Sequence, residues 1–420
     1  MKDFSVDMKQ AIANEFSSRR AKAIDPFRHT VGWPLYDEQE IYAALDCLLD
    51  LRLSQGPKVR EFESAYADYL GLPPGGGAVA VNSGSSANLV AFSALIQVGK
   101  LRTGDEVICP AATFATVSSP LYQLGLVPVY VDSEMDTLNL DPQQVEKAIS
   151  DKTKAIMVVH NLGVPAEMDS LMAIAAKHSL IVIEDCCEAH GSYYRGRQVG
   201  SIGHMATLSF FVAHNITTGE GGMVFFQDGE IDNRVRSVRE FGRSINSSSR
   251  YVNAGELGEY DSRYIFETLG YNVRMTDFAA AMGLVQLTKL ETLNAHRRAN
   301  AQKLRNIISK FDGYFSTVRD NPDHKVGYYG FPILITEKNP LSRNELCRHL
   351  EKDGIETRPN MGGCLPDQPG FLGQNHRICG DLKNARYIKE NAFFVGVHSG
   401  LTDEDFDLFE ASISSAYGLA

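Results

Sequence analysis

Between positions 106 and 185 the sequence alternates between two periods, and this constrains the fold more than any other feature of the 420 residues. Residues 106–109, 127–131, 155–159 and 181–183 are short runs, apolar but for Glu106. The stretches 117–124, 141–149 and 169–178 between them read as helices. Strands that are apolar throughout are buried on both faces, and strands alternating with helices make parallel neighbours. The pattern predicts an α/β architecture, a mostly parallel sheet flanked by helices. Ligands of such sheets collect at the carboxyl ends of the strands. Asp132, His160-Asn161 and Asp185 fall at those ends.

Two polar turns punctuate this frame. A strand at 78–81 runs into Asn82-Ser83-Gly84-Ser85-Ser86-Ala87-Asn88, and a helix follows at 89–98. Small residues at a helix start leave backbone N–H groups free and aligned with the helix dipole, which suits an anion. An ordinary capped turn uses the same residues. Residues 206–224 read ATLSFFVAHNITTGEGGMV: a β-type run with Ser209, then His214, then a Thr- and Gly-rich turn and a second apolar run. That turn suits a phosphate-bearing ligand or a plain β-hairpin.

Elsewhere the periodicity predicts helices at 4–23, 37–53, 59–70, 278–290 and 294–311. The stretch 242–264 is polar and reads as an exposed or ligand-covering loop. From about 328 the chain changes character: a strand at 328–335, a helix at 342–352, a strand at 393–397 and a helix at 402–417. We therefore expect an arm over 1–35, a large domain over 36–300 and a small α+β domain over 301–420.

Charge and cysteine usage narrow the function. A net charge of -11 leaves no basic surplus for a nucleic acid polymer. The seven cysteines are scattered and form no C-x-x-C pair, which predicts a reduced, cytoplasmic protein without a metal or iron–sulfur centre. No apolar run reaches the roughly 20 residues of a membrane span, and the polar start does not read as a secretory leader.

Three segments in fixed order carry a resemblance: NSGSSAN at 82–88, EDCCEAHG at 184–191 and SFFVAHNITTGEGG at 209–222. With GDEV at 104–107, GYNVRMTD at 270–277 and GIETRP at 354–359, they resemble the fold type I enzymes that use pyridoxal phosphate (PLP), specifically the DegT/StrS nucleotide-sugar aminotransferase family. The resemblance implies an aspartate aminotransferase-like fold with a small C-terminal domain, and a homodimer. It implies Asp185 at the ring nitrogen of the cofactor, Phe114 stacked on the ring, and Gly84, Ser85 and Ser209 at its phosphate. It also implies Asn272 reaching in from the partner subunit, Glu188 near the ring hydroxyl where many relatives have glutamine, and Arg358 on the substrate.

One position departs from that pattern. Where the aminotransferases have the lysine that binds the cofactor covalently, this chain has His214, and no lysine occurs between Lys177 and Lys289. A branch of the family shares that histidine: the 3-dehydratases of nucleotide-linked 4-keto-6-deoxyhexoses, which act in deoxysugar biosynthesis. Some of them carry an iron–sulfur cluster on cysteines equivalent to about 240–265, where this sequence has none. The resemblance thus implies a cluster-free enzyme with non-covalent PLP or its amine form (PMP), recharged by glutamate. An aminotransferase using His214 as a proton shuttle, or a non-catalytic binding protein, would suit the same residues.

Overall fold

The computed structural model describes residues 4–20, 26–245, 249–311 and 313–419. Seven short strands build most of its main sheet: β1 (Gly77–Val81), β2 (Glu106–Pro110), β3 (Val127–Val131), β4 (Thr153–Val159), β5 (Ile181–Asp185), β6 (Met205–Ser209) and β7 (Gly222–Phe226). From one edge the order is β1, β7, β6, β5, β4, β2, β3, and then the short strand Arg377–Ile378. Only β7 runs against its neighbours, β1 and β6; the other pairs are parallel. Every residue of β2, β6 and β7 is buried, which is why their sequences do not alternate.

The pleat sorts each strand onto two cores. Val79 and Val81 of β1 pack into one, and Ala78 and Ala80 into the other. The Gly84–Gln97 helix covers β6 and β7 on the first face. The Pro57–Leu70 helix covers β1 on the second, beneath the Asp277–Ile308 helix. A four-stranded antiparallel sheet of Phe315–Ser316, Gly330–Ile335, Ala392–Gly396 and Arg358–Pro359 forms the small C-terminal layer. The Lys383–Asn391 helix lies against it.

Several elements differ from their sequence reading. The two helices expected at 278–290 and 294–311 are one 32-residue helix, Asp277–Ile308. The predicted break falls at 291–293, just ahead of Asn294, and Thr292 and Asn294 are both weak helix formers. The buried Asn294 is held in place instead by tertiary hydrogen bonds: its Nδ2 donates to the His190 carbonyl (2.7 Å) and its Oδ1 accepts from Asn215 (2.8 Å). The stretch 117–124 is a short 3-10 turn, Ala115–Val117, followed by the helix Ser119–Gln123. Residues 242–264 include a small hairpin, Tyr251–Asn253 with Glu259–Asp261, while 246–248 lie outside the described residues.

The expected arm divides in two. Its helix, Val6–Arg20, has no buried residue, and positions 21–23 of the predicted helix lie outside the described residues. Farther along, His29 is fully buried, bridges Ile355, and places Nε2 2.9 Å from the Gly396 carbonyl. That part of the chain therefore packs within the small layer. Conversely, Arg377–Ile378 leaves the small layer to extend the main sheet. Arg377 is anchored by a two-point ion pair to Glu106, at 3.0 and 2.7 Å.

Candidate active site

β5 ends on Asp185 near the middle of the sheet, with β1 three places to one side and β4 next to it on the other. A cavity of about 420 Å³ opens over these strand ends. It brings together Gly84, Ser85, Phe114, Asp185, Glu188, Ser209, His214 and Arg358, which are spread over most of the sequence. None of its lining residues is a lysine.

On the β1 side the cavity meets the start of the Gly84–Gln97 helix. Ser83 caps it, its Oγ accepting from the Ser86 N–H at 3.1 Å. The first N–H groups of a helix have no partner within it and carry the positive end of its dipole. Gly84 is required by close approach: a β-carbon there would stand 2.6 Å from Ser209 Cβ and 2.9 Å from Cys187 Sγ. Ser209, ending β6, thus lies against the same helix start. Backbone donors, a serine hydroxyl and a positive dipole at one spot fit a phosphate.

Asp185 is 5% exposed. Its Oδ2 accepts from Asn88 Nδ2 at 2.9 Å and its Oδ1 from the Cys187 N–H at 3.0 Å. Asn88 is itself fixed, donating to the Thr116 carbonyl (3.1 Å) and accepting from the Thr207 hydroxyl (2.6 Å). Each carboxylate oxygen retains capacity to accept a ring N–H. The neighbouring Glu184 is occupied differently: it takes N–H bonds from Gly200, Ile202 and Gly203 and pairs with His160 at 3.0 Å. Glu184, His160 and Cys186 lie close enough to hold a cation, but those bonds already commit the carboxylate.

On the β4 side, Glu188 accepts from the Leu162 N–H at 2.9 Å. Burial, reinforced by the nearby Asp185 charge, pushes its carboxyl up to about 8 against the effect of that bond.

His214 stands between Phe211 and Tyr329, whose ring meets the imidazole edge-on at 5.3 Å. Its Nδ1 lies 2.8 Å from the Ser209 carbonyl, so Nδ1 carries the hydrogen and Nε2 the free lone pair. The same carbonyl accepts from His190 Nε2 at 2.7 Å. Burial lowers His214 to about 4, despite the Ser209 carbonyl and Asp185. The group is therefore a neutral base.

The Thr- and Gly-rich turn does not present its hydroxyls to an anion. Thr217 Oγ1 donates to the Phe210 carbonyl and Thr218 Oγ1 to the Glu220 carbonyl, while the Thr217 N–H is taken by Gln286. Of the turn's residues only Glu220 lines the cavity. Phe114 is 55% exposed at the cavity wall. Arg358 sits at the rim, ion-paired with Glu356. Asn272 is exposed, outside its own chain's cavity, and accepts from Arg274 Nε at 3.1 Å.

Sequence reasoning missed Asn88 and Tyr329. Asn88 had a legible signal, standing four positions after Gly84 on the same helix face. Tyr329 had none, because only the tertiary fold brings it to His214.

A sheet of this order, with an aspartate at its central strand end and an anion cradle beside it, defines a fold type I, PLP-dependent enzyme. Residues 34–413 match the family described as DegT/DnrJ/EryC1/StrS aminotransferase, and the chain belongs to it.

Among relatives, the chain is similar to a dTDP-4-dehydro-2,6-dideoxy-D-glucose 3-dehydratase of Saccharopolyspora spinosa, 38% identical over 90% of this chain and 84% of that one. It is 32% identical to a GDP-4-keto-6-deoxy-D-mannose 3-dehydratase of Yersinia pseudotuberculosis, over 90% and 98% of the two chains. Among solved structures, the Escherichia coli GDP-4-keto-6-deoxy-D-mannose-3-dehydratase with bound hydrated PLP superposes at TM-score 0.85, with 29% identity over 92% and 99% of the chains. A GDP-4-keto-6-deoxymannose-3-dehydratase with a trapped PLP-glutamate geminal diamine gives 0.84, with 29% identity over 92% and 100%. An aminotransferase from Psychrobacter cryohalolentis gives 0.83, with 31% identity over 92% and 98%.

Proposed function

We propose that this chain removes the C3 hydroxyl of a nucleotide-linked 4-keto-6-deoxyhexose, using PMP held without a covalent bond. The carrying observation is His214: an imidazole of fixed tautomer in a cavity that has no lysine. When bound, the cofactor supplies an amine that condenses with the sugar ketone and a ring that accepts electrons.

The chain's own groups then have distinct work. Gly84, Ser85 and Ser209 would hold the phosphate, and Phe114 would cover the ring. Asp185, steadied by Asn88, would keep the ring nitrogen protonated. His214 Nε2 would be the base for a proton at the cofactor's exocyclic carbon and, once cationic, the acid for the departing C3 hydroxyl. Arg358 at the rim meets the substrate. The products are a 3-deoxy-4-keto sugar, ammonia and PLP. Glutamate returns the amine, a reading supported by the neighbour trapped with PLP and glutamate. Two copies of the chain share each site, Asn272 of one reaching the phosphate in the other.

Mass spectrometry of products from a panel of nucleotide-linked 4-keto-6-deoxy sugars, with PLP and glutamate, tests the reading. A deoxy sugar with released ammonia is expected. A stable amino sugar would make the chain an aminotransferase instead, and cofactor binding without turnover of any sugar would make it a binding protein.

A further inference from the structure

The sheet alone does not hold the loop that carries His214. The loop bulges between β6 and β7 and closes where the Thr218 N–H donates to the Phe210 carbonyl. Inside it, the His214 N–H reaches the Phe211 carbonyl at 3.0 Å. One flank is tied to the long helix: the Thr217 N–H donates to Gln286 Oε1 at 3.1 Å, and Asn215 Nδ2 to Asn294 Oδ1 at 2.8 Å. On the other flank Ala213 faces Gly32 of the N-terminal segment. A β-carbon on Gly32 would stand 2.5 Å from Ala213 Cβ and 3.1 Å from its Cα. Backbone therefore lies directly on the residue that precedes the base, an approach that needs glycine.

That segment is seated on the small C-terminal layer. The Arg28 and His29 N–H groups donate to the Gly354 carbonyl, and the Glu356 N–H donates to the His29 carbonyl at 2.8 Å. Farther on, the Leu35 carbonyl accepts from Gln286 Nε2 at 3.0 Å, the same glutamine whose Oε1 holds Thr217. The bond beside Gly32 comes from a side chain: the Val31 N–H donates to Glu356 Oε2 at 2.6 Å. The other oxygen of Glu356 pairs with Arg358 Nη2 at the cavity rim. Both bonds are charge-assisted and stronger than their neutral counterparts. One carboxylate thus serves the segment that backs the base with one oxygen and the rim guanidinium with the other.

We propose that Gly32 and Glu356 are positioning residues for the reaction. Glu356 Oε2 seats the Val31–Gly32 backbone against Ala213, and so fixes the place of His214. Glu356 Oε1 presents Arg358 to an anionic group of the substrate. The base and the rim cation are thereby set by one carboxylate that itself touches neither cofactor nor sugar. The two duties are separable. An amide at position 356 can still accept the Val31 N–H, but it carries no charge for Arg358. The inference rests on the reading of His214 as the base and of Arg358 as a substrate residue.

The first test uses the full chain without cofactor or sugar. The ring nitrogens of His214 are followed by 15N NMR, assigned by their loss in His214→Asn. The wild type and Glu356→Gln should both show hydrogen on Nδ1 alone. Glu356→Ala and Gly32→Ala should show mixed tautomers, which a general loss of stability would not produce. A wild-type signal in either of these two overturns the proposal. Kinetics come second, on any nucleotide-linked keto sugar the chain turns over, whatever the product. Glu356→Gln should raise KM about tenfold and keep kcat within about twofold of wild type, the mark of binding lost equally from ground and transition states. Glu356→Ala should raise KM as much and also lower kcat about tenfold, the cost of a misplaced group. Equal kcat values for the two variants, or an unchanged KM in Glu356→Gln, overturn it. The identity of the product separately decides between dehydration and transamination. If no sugar is turned over, the ring nitrogens decide alone; if Glu356→Ala fails to fold, Gly32→Ala and Glu356→Gln decide.

Discussion

At the residue scale, replacing lysine by histidine changes what the site can retain. A lysine amine at position 214 would capture the cofactor aldehyde, whereas an imidazole leaves it free. His214→Lys should therefore lose 3-deoxysugar formation by a factor of about 100 or more, the usual scale for a lost acid–base group. It should also gain cofactor attachment that borohydride makes permanent, read by mass. Unchanged deoxysugar formation would remove His214 from the mechanism.

The base also depends on a neighbour that never touches the cavity. His190 and His214 share the Ser209 carbonyl, and His190 Nδ1 is 2.9 Å from the Tyr66 hydroxyl. His190→Phe should free that carbonyl to turn. NMR of the His214 ring nitrogens should then show mixed tautomers, where the wild type shows hydrogen on Nδ1 alone. Such a change would be separable from a simple loss of stability.

Acid lability follows from two buried imidazoles, His190 and His398. Burial is the main cause that lowers His190 and His398 to about 3, from an unfolded value near 6.5. Between those values the unfolded chain binds protons that the folded chain refuses. Their contribution is thus intact above about pH 6.5 and is lost as pH falls towards 3. At pH 5 each costs about 2 kcal/mol. The urea midpoint should drop clearly from pH 7.5 to pH 5, and an unchanged midpoint would contradict these shifts.

At the element scale, the start of the Gly84–Gln97 helix leaves no room for a side chain at Gly84. Gly84→Ala places a methyl 2.6 Å from Ser209 Cβ, so the helix must retreat from β6. We expect a loss of about 1–3 kcal/mol in stability, as for other overpacked sites. PLP affinity should fall at least tenfold, measured by absorbance titration, because the N–H groups move away from the phosphate.

This element also shows what a sequence can reveal. A cap and a helix start are local chemistry, so Ser83 and Gly84 were legible in order. The strand ends were legible too, because β2 to β5 are buried on both faces and read as mostly apolar runs. The role of the Thr- and Gly-rich turn was not: it suited a phosphate-bearing ligand or a plain hairpin alike, and only the fold shows the Thr217 and Thr218 hydroxyls bonded to backbone carbonyls. Likewise Asn294 read as the start of a second helix after a break at 291–293, because its partners His190 and Asn215 are distant in sequence.

At the scale of the whole molecule, an exposed Asn272 and an open Phe114 are consistent with a site completed by a second copy. If Asn272 serves the partner's phosphate cradle, two inactive variants should rescue each other. Mixed and refolded, His214→Asn and Asn272→Ala chains should recover about a quarter of wild-type turnover. Half the dimers are then mixed, and each mixed dimer has one intact site. No recovery, with dimers shown by sedimentation, would mean that Asn272 acts within its own chain or not at all.

The Asp277–Ile308 helix acts as a single ruler about 48 Å long at 1.5 Å per residue. Gln286 holds the Thr217 N–H, Asn294 holds the His190 carbonyl, Arg297 holds Tyr329, and Asn300 holds the Val397 and His398 carbonyls. These four graduations set the distance between the base, its neighbour and the small C-terminal layer. Inserting one residue between Gln286 and Asn294 would leave an unbroken helix but turn every later mark by about 100°. Such a chain could remain folded and helical by circular dichroism while its active site is assembled out of phase.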